Sequence, residues 1–155
     1  MKLELKNIKH TSWASEETHC YQASLYVDGK PVAIVSNDGR GGADRDYPHP
    51  KFKGDYRAQM RDVSRYFSGL RRTAVTEWSP EGMEQCLEFW CCDQVNDWLS
   101  ARELKKKLKA GFLFQFADKV GVFAHKTRPS RAHKATILND LPFDEALSIW
   151  KETAL

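Results

Sequence analysis

The chain has 155 residues, 41% hydrophobic, 12% aromatic and 29% charged, the balance of one ordinary globular domain and not of a disordered, fibrous or disulfide-stapled chain. No apolar run approaches the roughly 18 residues a membrane span requires, and the opening MKLELKNIKH contains no signal-type apolar core. The net charge of +3 is unevenly placed: residues 101–134 carry ten Lys or Arg against Glu103 and Asp118, a local +8 that leaves −5 elsewhere. That asymmetry suits either an anionic partner or a solvated basic face.

Leu3, Leu5 and Ile8 sit near period two, and Tyr21, Ala23, Leu25 and Val27 hold it strictly, which predicts two strands. Asp28-Gly29-Lys30 supplies a tight turn into a third strand over Val32 to Val35, closing a hairpin. From Ser36 to Pro50 apolar periodicity disappears among Gly, Asp and Pro, predicting a long loop.

Beyond the loop, Tyr56, Met60, Val63, Phe67 and Leu70 follow helical spacing. Ser79-Pro80-Glu81 reads as the N-terminus of a second helix whose apolar face includes Met83, Leu87, Trp90 and Trp98. Ser100-Ala101-Arg102-Glu103 has the capping-box pattern and predicts a restart into a third helix ending near Gly111. Phe112 to Phe116 and Val120 to Phe123 predict a second hairpin, Ala135 to Leu138 a short strand, and Asn139-Asp140 the cap of a final helix carrying Phe143, Leu147 and Trp150. Segregated strands and helices predict a single α+β domain over residues 1–155: a mainly antiparallel sheet of two hairpins packed against three to four helices.

Three features carry candidate chemistry. In the segment 37–49, Asn37, Asp38, Gly39, Arg40, Gly41, Gly42, Arg45, Asp46, Tyr47 and His49 form a glycine-rich loop. Its backbone N–H groups suit a phosphate or carboxylate, with guanidinium contacts from Arg40 and Arg45 and a base stacked on Tyr47. It lacks the Gly-Lys-Ser/Thr ending of a phosphate-binding loop. Asp38, Asp44, Asp46 and His49 have the donor chemistry of a divalent site, but four ligands in one loop do not fix a catalytic geometry.

The second feature is a basic face, Lys105, Lys106 and Lys109 with Arg128, Arg131 and Lys134, suited to phosphate contacts on a nucleic acid. The third is a pair of tryptophans in predicted loops, Trp13 and Trp78, suited to anchoring a partner protein or to folding back as lids. His10, His19, Cys20, Cys86, Cys91 and Cys92 miss the spacing of zinc sites and read as reduced, structural residues. No nucleophile-elbow, deaminase or kinase signature is present, so no catalytic residue, metal or cofactor is assigned and a non-enzymatic role is expected.

The opening LELKNIK, the run Ser15-Glu16-Glu17-Thr18 before Cys20-Tyr21, the stretch LYVDGKPVAIVSNDGRGG and the ending ILNDLPFDEALSIW resemble a family of small uncharacterised proteins of phages, prophages and plasmids. The resemblance covers both ends of the chain and not its middle. It implies an accessory protein acting in the cytoplasm of a bacterial host, bound to a host protein or nucleoprotein complex, with inhibition of bacterial defence as one such role. The alternatives are capture of a small phosphorylated ligand by the glycine-rich loop and nucleic-acid binding by the basic face.

Overall fold

Tyr21, Ala23, Leu25 and Val27 alternate onto one face of strand β2 (Cys20–Val27), and all four are buried there. β2 pairs with β1 (Leu3–His10) on one side and β3 (Lys30–Asp38) on the other, and β3 pairs with β4 (Arg45–Pro48) in a four-stranded antiparallel sheet of order β1-β2-β3-β4. The β2–β3 turn places Asp28 at φ +47° and Gly29 at φ +78°, the consecutive left-handed pair that matches the twist of a hairpin. The computed structural model describes residues 1–70, 82–128 and 135–153.

Helix α1 (Tyr56–Phe67) starts where the Asp55 side chain accepts the Ala58 N–H at 3.0 Å. Its Val63 and Phe67 are buried, as are Ala33 and Val35 of the sheet and Cys91 and Val95 of helix α2 (Leu87–Ala110). The start predicted at Ser79-Pro80-Glu81 lies outside the described residues. Met83, expected on that helix's apolar face, precedes α2 and is exposed.

Two compact units are present, Met1–Val95 and Asn96–Leu155, and α2 runs across their boundary without a break. The expected restart at Ser100 does not occur. A capping box acts where the preceding backbone is non-helical, whereas here the helix already extends through Trp98 and Leu99, and propagating a helix costs less than nucleating a new one.

In the second unit β5 (Phe112–Phe116) lies between β6 (Phe123–His125) and β7 (Ala135–Ile137), all antiparallel, and helix α3 (Phe143–Thr153) follows. Leu104, Leu113, Leu138 and Ala146 form its buried core, with Leu147 and Trp150 packed against them. β6 begins at Phe123 instead of Val120, and Val120 is almost fully exposed.

Asn139 does not cap α3. Its Nδ2 donates to the Leu108 carbonyl at 3.2 Å and the Gly111 carbonyl at 3.0 Å, and its Oδ1 accepts the Leu113 N–H at 2.8 Å. One side chain thus satisfies carbonyls at the C-terminus of α2 and aligns β5 behind it. The α+β class with antiparallel pairing is as the sequence predicts, its strands divided between two sheets. Among the described residues no helix is long and apolar enough to cross a membrane.

Candidate functional site

The glycine-rich segment is not the long loop its composition suggests: β3 extends through Asp38 and β4 occupies Arg45–Pro48, leaving a short link between them. Asn37, buried opposite Tyr21, organises this link. Its Oδ1 accepts from Thr18 Oγ1 and the Gly39 N–H, each at 2.8 Å, while its Nδ2 donates to the Gly42 carbonyl at 2.8 Å and Asp44 Oδ1 at 2.9 Å. The Asp44 carboxylate also accepts from the Tyr21 hydroxyl.

The same link grips the segment before β2. The Gly39 carbonyl accepts the N–H groups of Glu16, Glu17 and Thr18 at 2.9, 2.9 and 3.3 Å. Gly39 has φ +86°, and a Cβ there would lie 2.0 Å from the Ala14 carbonyl oxygen. Only glycine permits both the conformation and the approach.

This arrangement bears directly on anion binding. The N–H of Gly39 goes to Asn37, that of Arg40 to Asp38 at 3.3 Å, and that of Gly41 to Thr18 Oγ1 at 3.3 Å. The three amides that would cradle a phosphate are engaged within the chain, and Arg45 is paired with Asp38 at 3.2 Å. Tyr47 lies on the opposite face of β4 from Asp46, accepting from Gln22 at 2.9 Å, and His49 Nδ1 accepts the Lys51 N–H at 3.1 Å. The loop residues are therefore divided between two faces of the sheet instead of converging on one ligand.

A divalent site meets the same difficulty. Asp44 accepts from Tyr21, Asp46 from Tyr56, and Asp38 faces Arg45, so each carboxylate has its own partner. Among the described residues no three His, Cys, Asp or Glu side chains gather closely enough to hold a metal ion.

Burial raises the Tyr21 hydroxyl far above its ordinary range, reinforced by Cys91 and by the bond to Asp44. Burial also raises Tyr56, which donates to Asp46. The Cys91 thiol is pushed up to about 12, first by burial and then by Asp44. Tyr21 and Tyr56 are thus fixed proton donors at neutral pH, and Cys91 remains an unreactive thiol. All four cysteines are free.

Beneath the sheet a cavity of about 660 Å³ has Val35, Val63 and Phe67 on its apolar wall and Asp44, Asp46, Glu84 and Glu88 as its charged groups. No Lys, Arg or His is among its described lining residues, so its field opposes a phosphorylated ligand.

Trp13 is the most exposed aromatic side chain among the described residues, at 88%. It sits on a single 3₁₀ turn, Ser12–Ala14, held at both ends. Ser15 Oγ donates to the Thr11 carbonyl at 2.9 Å and accepts the Cys20 N–H at 2.9 Å, and the Thr11 N–H donates to the Cys20 carbonyl at 2.9 Å. Gly39 closes against Ala14 from the other side. Trp78 lies outside the described residues.

Of the basic face, Lys105, Lys106, Lys109 and Arg128 are exposed, while Arg131 and Lys134 lie outside the described residues. Lys105 Nζ stands 4.9 Å from the centre of the Phe143 ring, and Arg128 pairs with Asp140 and lies 5.8 Å from the centre of Phe112. The aromatic setting of Arg128 is not legible in its immediate sequence neighbours. The signal for it is the Phe-x-Phe-x-Phe spacing of residues 112–116, which at period two places three rings on one sheet face. No protein-family model, curated protein sequence or solved structure matches the chain.

Proposed function

We propose that this is a non-enzymatic accessory protein of a mobile element that docks on a host protein or nucleoprotein complex in the bacterial cytoplasm, with inhibition of a defence system as one such role. Trp13 carries the reading. A large aromatic ring held in water gains nothing in the free protein, and tryptophan is enriched among the residues that dominate binding energy at protein interfaces. The turn beneath it is already hydrogen-bonded at both ends, so docking the ring requires little further ordering of backbone.

The polar groups of the glycine-rich link support this reading over ligand capture, because they are used to hold residues 16–18, just after the Trp13 turn, against the sheet. Tagged wild-type protein and Trp13→Ala are passed over host lysate in parallel. A partner retained by the wild type and lost from Trp13→Ala is expected. Equal recovery by both proteins, or retention of nothing by either, rejects Trp13 as a docking anchor.

A further inference from the structure

Leu113 points into the core of the second unit, so Phe112, Phe114 and Phe116 project from the opposite face of β5. Phe123 stands beside Phe114 in register on β6. Their rings form one group: Phe114 stacks on Phe123 at 6.1 Å, Phe116 lies 5.3 Å from Phe114, and Phe116 lies 5.7 Å from Phe123. None of the four belongs to the buried core cluster, and Phe123 is 39% exposed. Cations flank the group. Lys119 Nζ lies 5.2 Å from the Phe116 ring and 6.0 Å from Phe123, and Arg128 stands over Phe112 at the other end.

We infer that this phenylalanine face is a binding platform for single-stranded nucleic acid, with bases stacking on Phe114, Phe116 and Phe123 and a phosphate meeting Lys119, while Arg128 stays paired with Asp140 at the platform's edge. Charge complementarity selects this occupant. The charged side chains set against its rings, Lys119 over Phe116 and Phe123 and Arg128 over Phe112, are both cations. Lysine is depleted from the cores of protein–protein interfaces, whereas rings bordered by Lys and Arg are what an unpaired strand needs. A duplex hides its base faces in its own stack, so only a single strand presents them. A sheet face of this kind seats about two or three bases. The inference goes beyond docking through Trp13 and does not depend on it.

The test uses the full-length protein and a fluorescein-labelled oligothymidylate of about twenty nucleotides, a length that covers one such platform with flanking contacts. Fluorescence anisotropy is read at low and physiological salt, beside a duplex of mixed sequence. The single strand is expected to bind more tightly than the duplex, with affinity falling steeply as salt rises. Phe123→Ala, at an exposed position that does not contribute to the core, weakens binding about fivefold or more, and Phe123→Trp restores it. Lys119→Ala flattens the salt slope by about 0.7, the contribution of one phosphate contact on a single strand. Trp13→Ala leaves oligonucleotide affinity unchanged, which separates failure of this inference from failure of the docking reading. Circular dichroism verifies that each variant is folded. Absence of binding at low salt, equal affinity for duplex and single strand, or wild-type affinity in folded Phe123→Ala overturns the platform.

Discussion

The glycines between β3 and β4 look alike in the sequence and do different work. At Gly39 an added methyl group meets the Ala14 carbonyl at 2.0 Å and must adopt φ +86°, whereas at Gly42 nothing lies within 4 Å and φ is not positive. Gly39→Ala is therefore expected to lower stability by about 2 kcal/mol or more, combining left-handed strain with displacement of the Trp13 turn. Gly42→Ala should stay within about 0.5 kcal/mol of wild type. Urea denaturation of the two variants checks this contrast, and equal midpoints would remove the link from the fold's energetics. Burial sets a second residue-scale expectation. Tyr21 is raised far above its ordinary value of 10.0 and Cys91 from 9.0 to about 12, so above about pH 9 the unfolded chain loses protons that the folded chain keeps. The stabilisation is full below that range and falls as pH rises through it. Tyr21→Phe should flatten this alkaline limb in denaturant titrations; an unchanged limb would place its cause elsewhere.

At the scale of elements, the strands legible in the sequence are those whose inward positions are apolar. β2 shows itself through Tyr21, Ala23, Leu25 and Val27, and the turn after it through Asp28-Gly29. The end of β3 and all of β4 are hidden because this stretch carries polar groups, buried Asn37, half-buried Asp44 and exposed Asp46, that are held by hydrogen bonds to Thr18, Tyr21 and Tyr56 and not by apolar burial. Periodicity of hydrophobic residues cannot report a face built from hydrogen bonds. The same limit explains Asn139, whose position before α3 imitates a cap while its amide bridges α2 to β5. Asn139→Ala leaves the Leu108 and Gly111 carbonyls and the Leu113 N–H without that partner, and should cost about 1–3 kcal/mol. The expected signature is a lower urea midpoint with an unchanged slope; a midpoint equal to wild type would make the bridge incidental.

At the scale of the whole molecule, the two proposed contact features occupy different compact units: Trp13 lies in Met1–Val95 and Phe123 in Asn96–Leu155. Each unit has its own buried residues, centred on Leu25 and Val35 in one and on Leu104 and Leu113 in the other. Neither Trp13 nor Phe123 contributes to these cores, so truncating either should leave both units folded. Mutational effects add when residues share no partners and depart from additivity when they belong to one surface. A double-mutant cycle therefore distinguishes two independent contacts from a composite one. Trp13→Ala is expected to abolish partner capture and preserve oligonucleotide binding, Phe123→Ala to preserve capture and weaken oligonucleotide binding about fivefold or more, and the double variant to show the sum of the single effects. A departure from additivity above about 0.5 kcal/mol in oligonucleotide affinity would mean that both aromatic residues serve one surface.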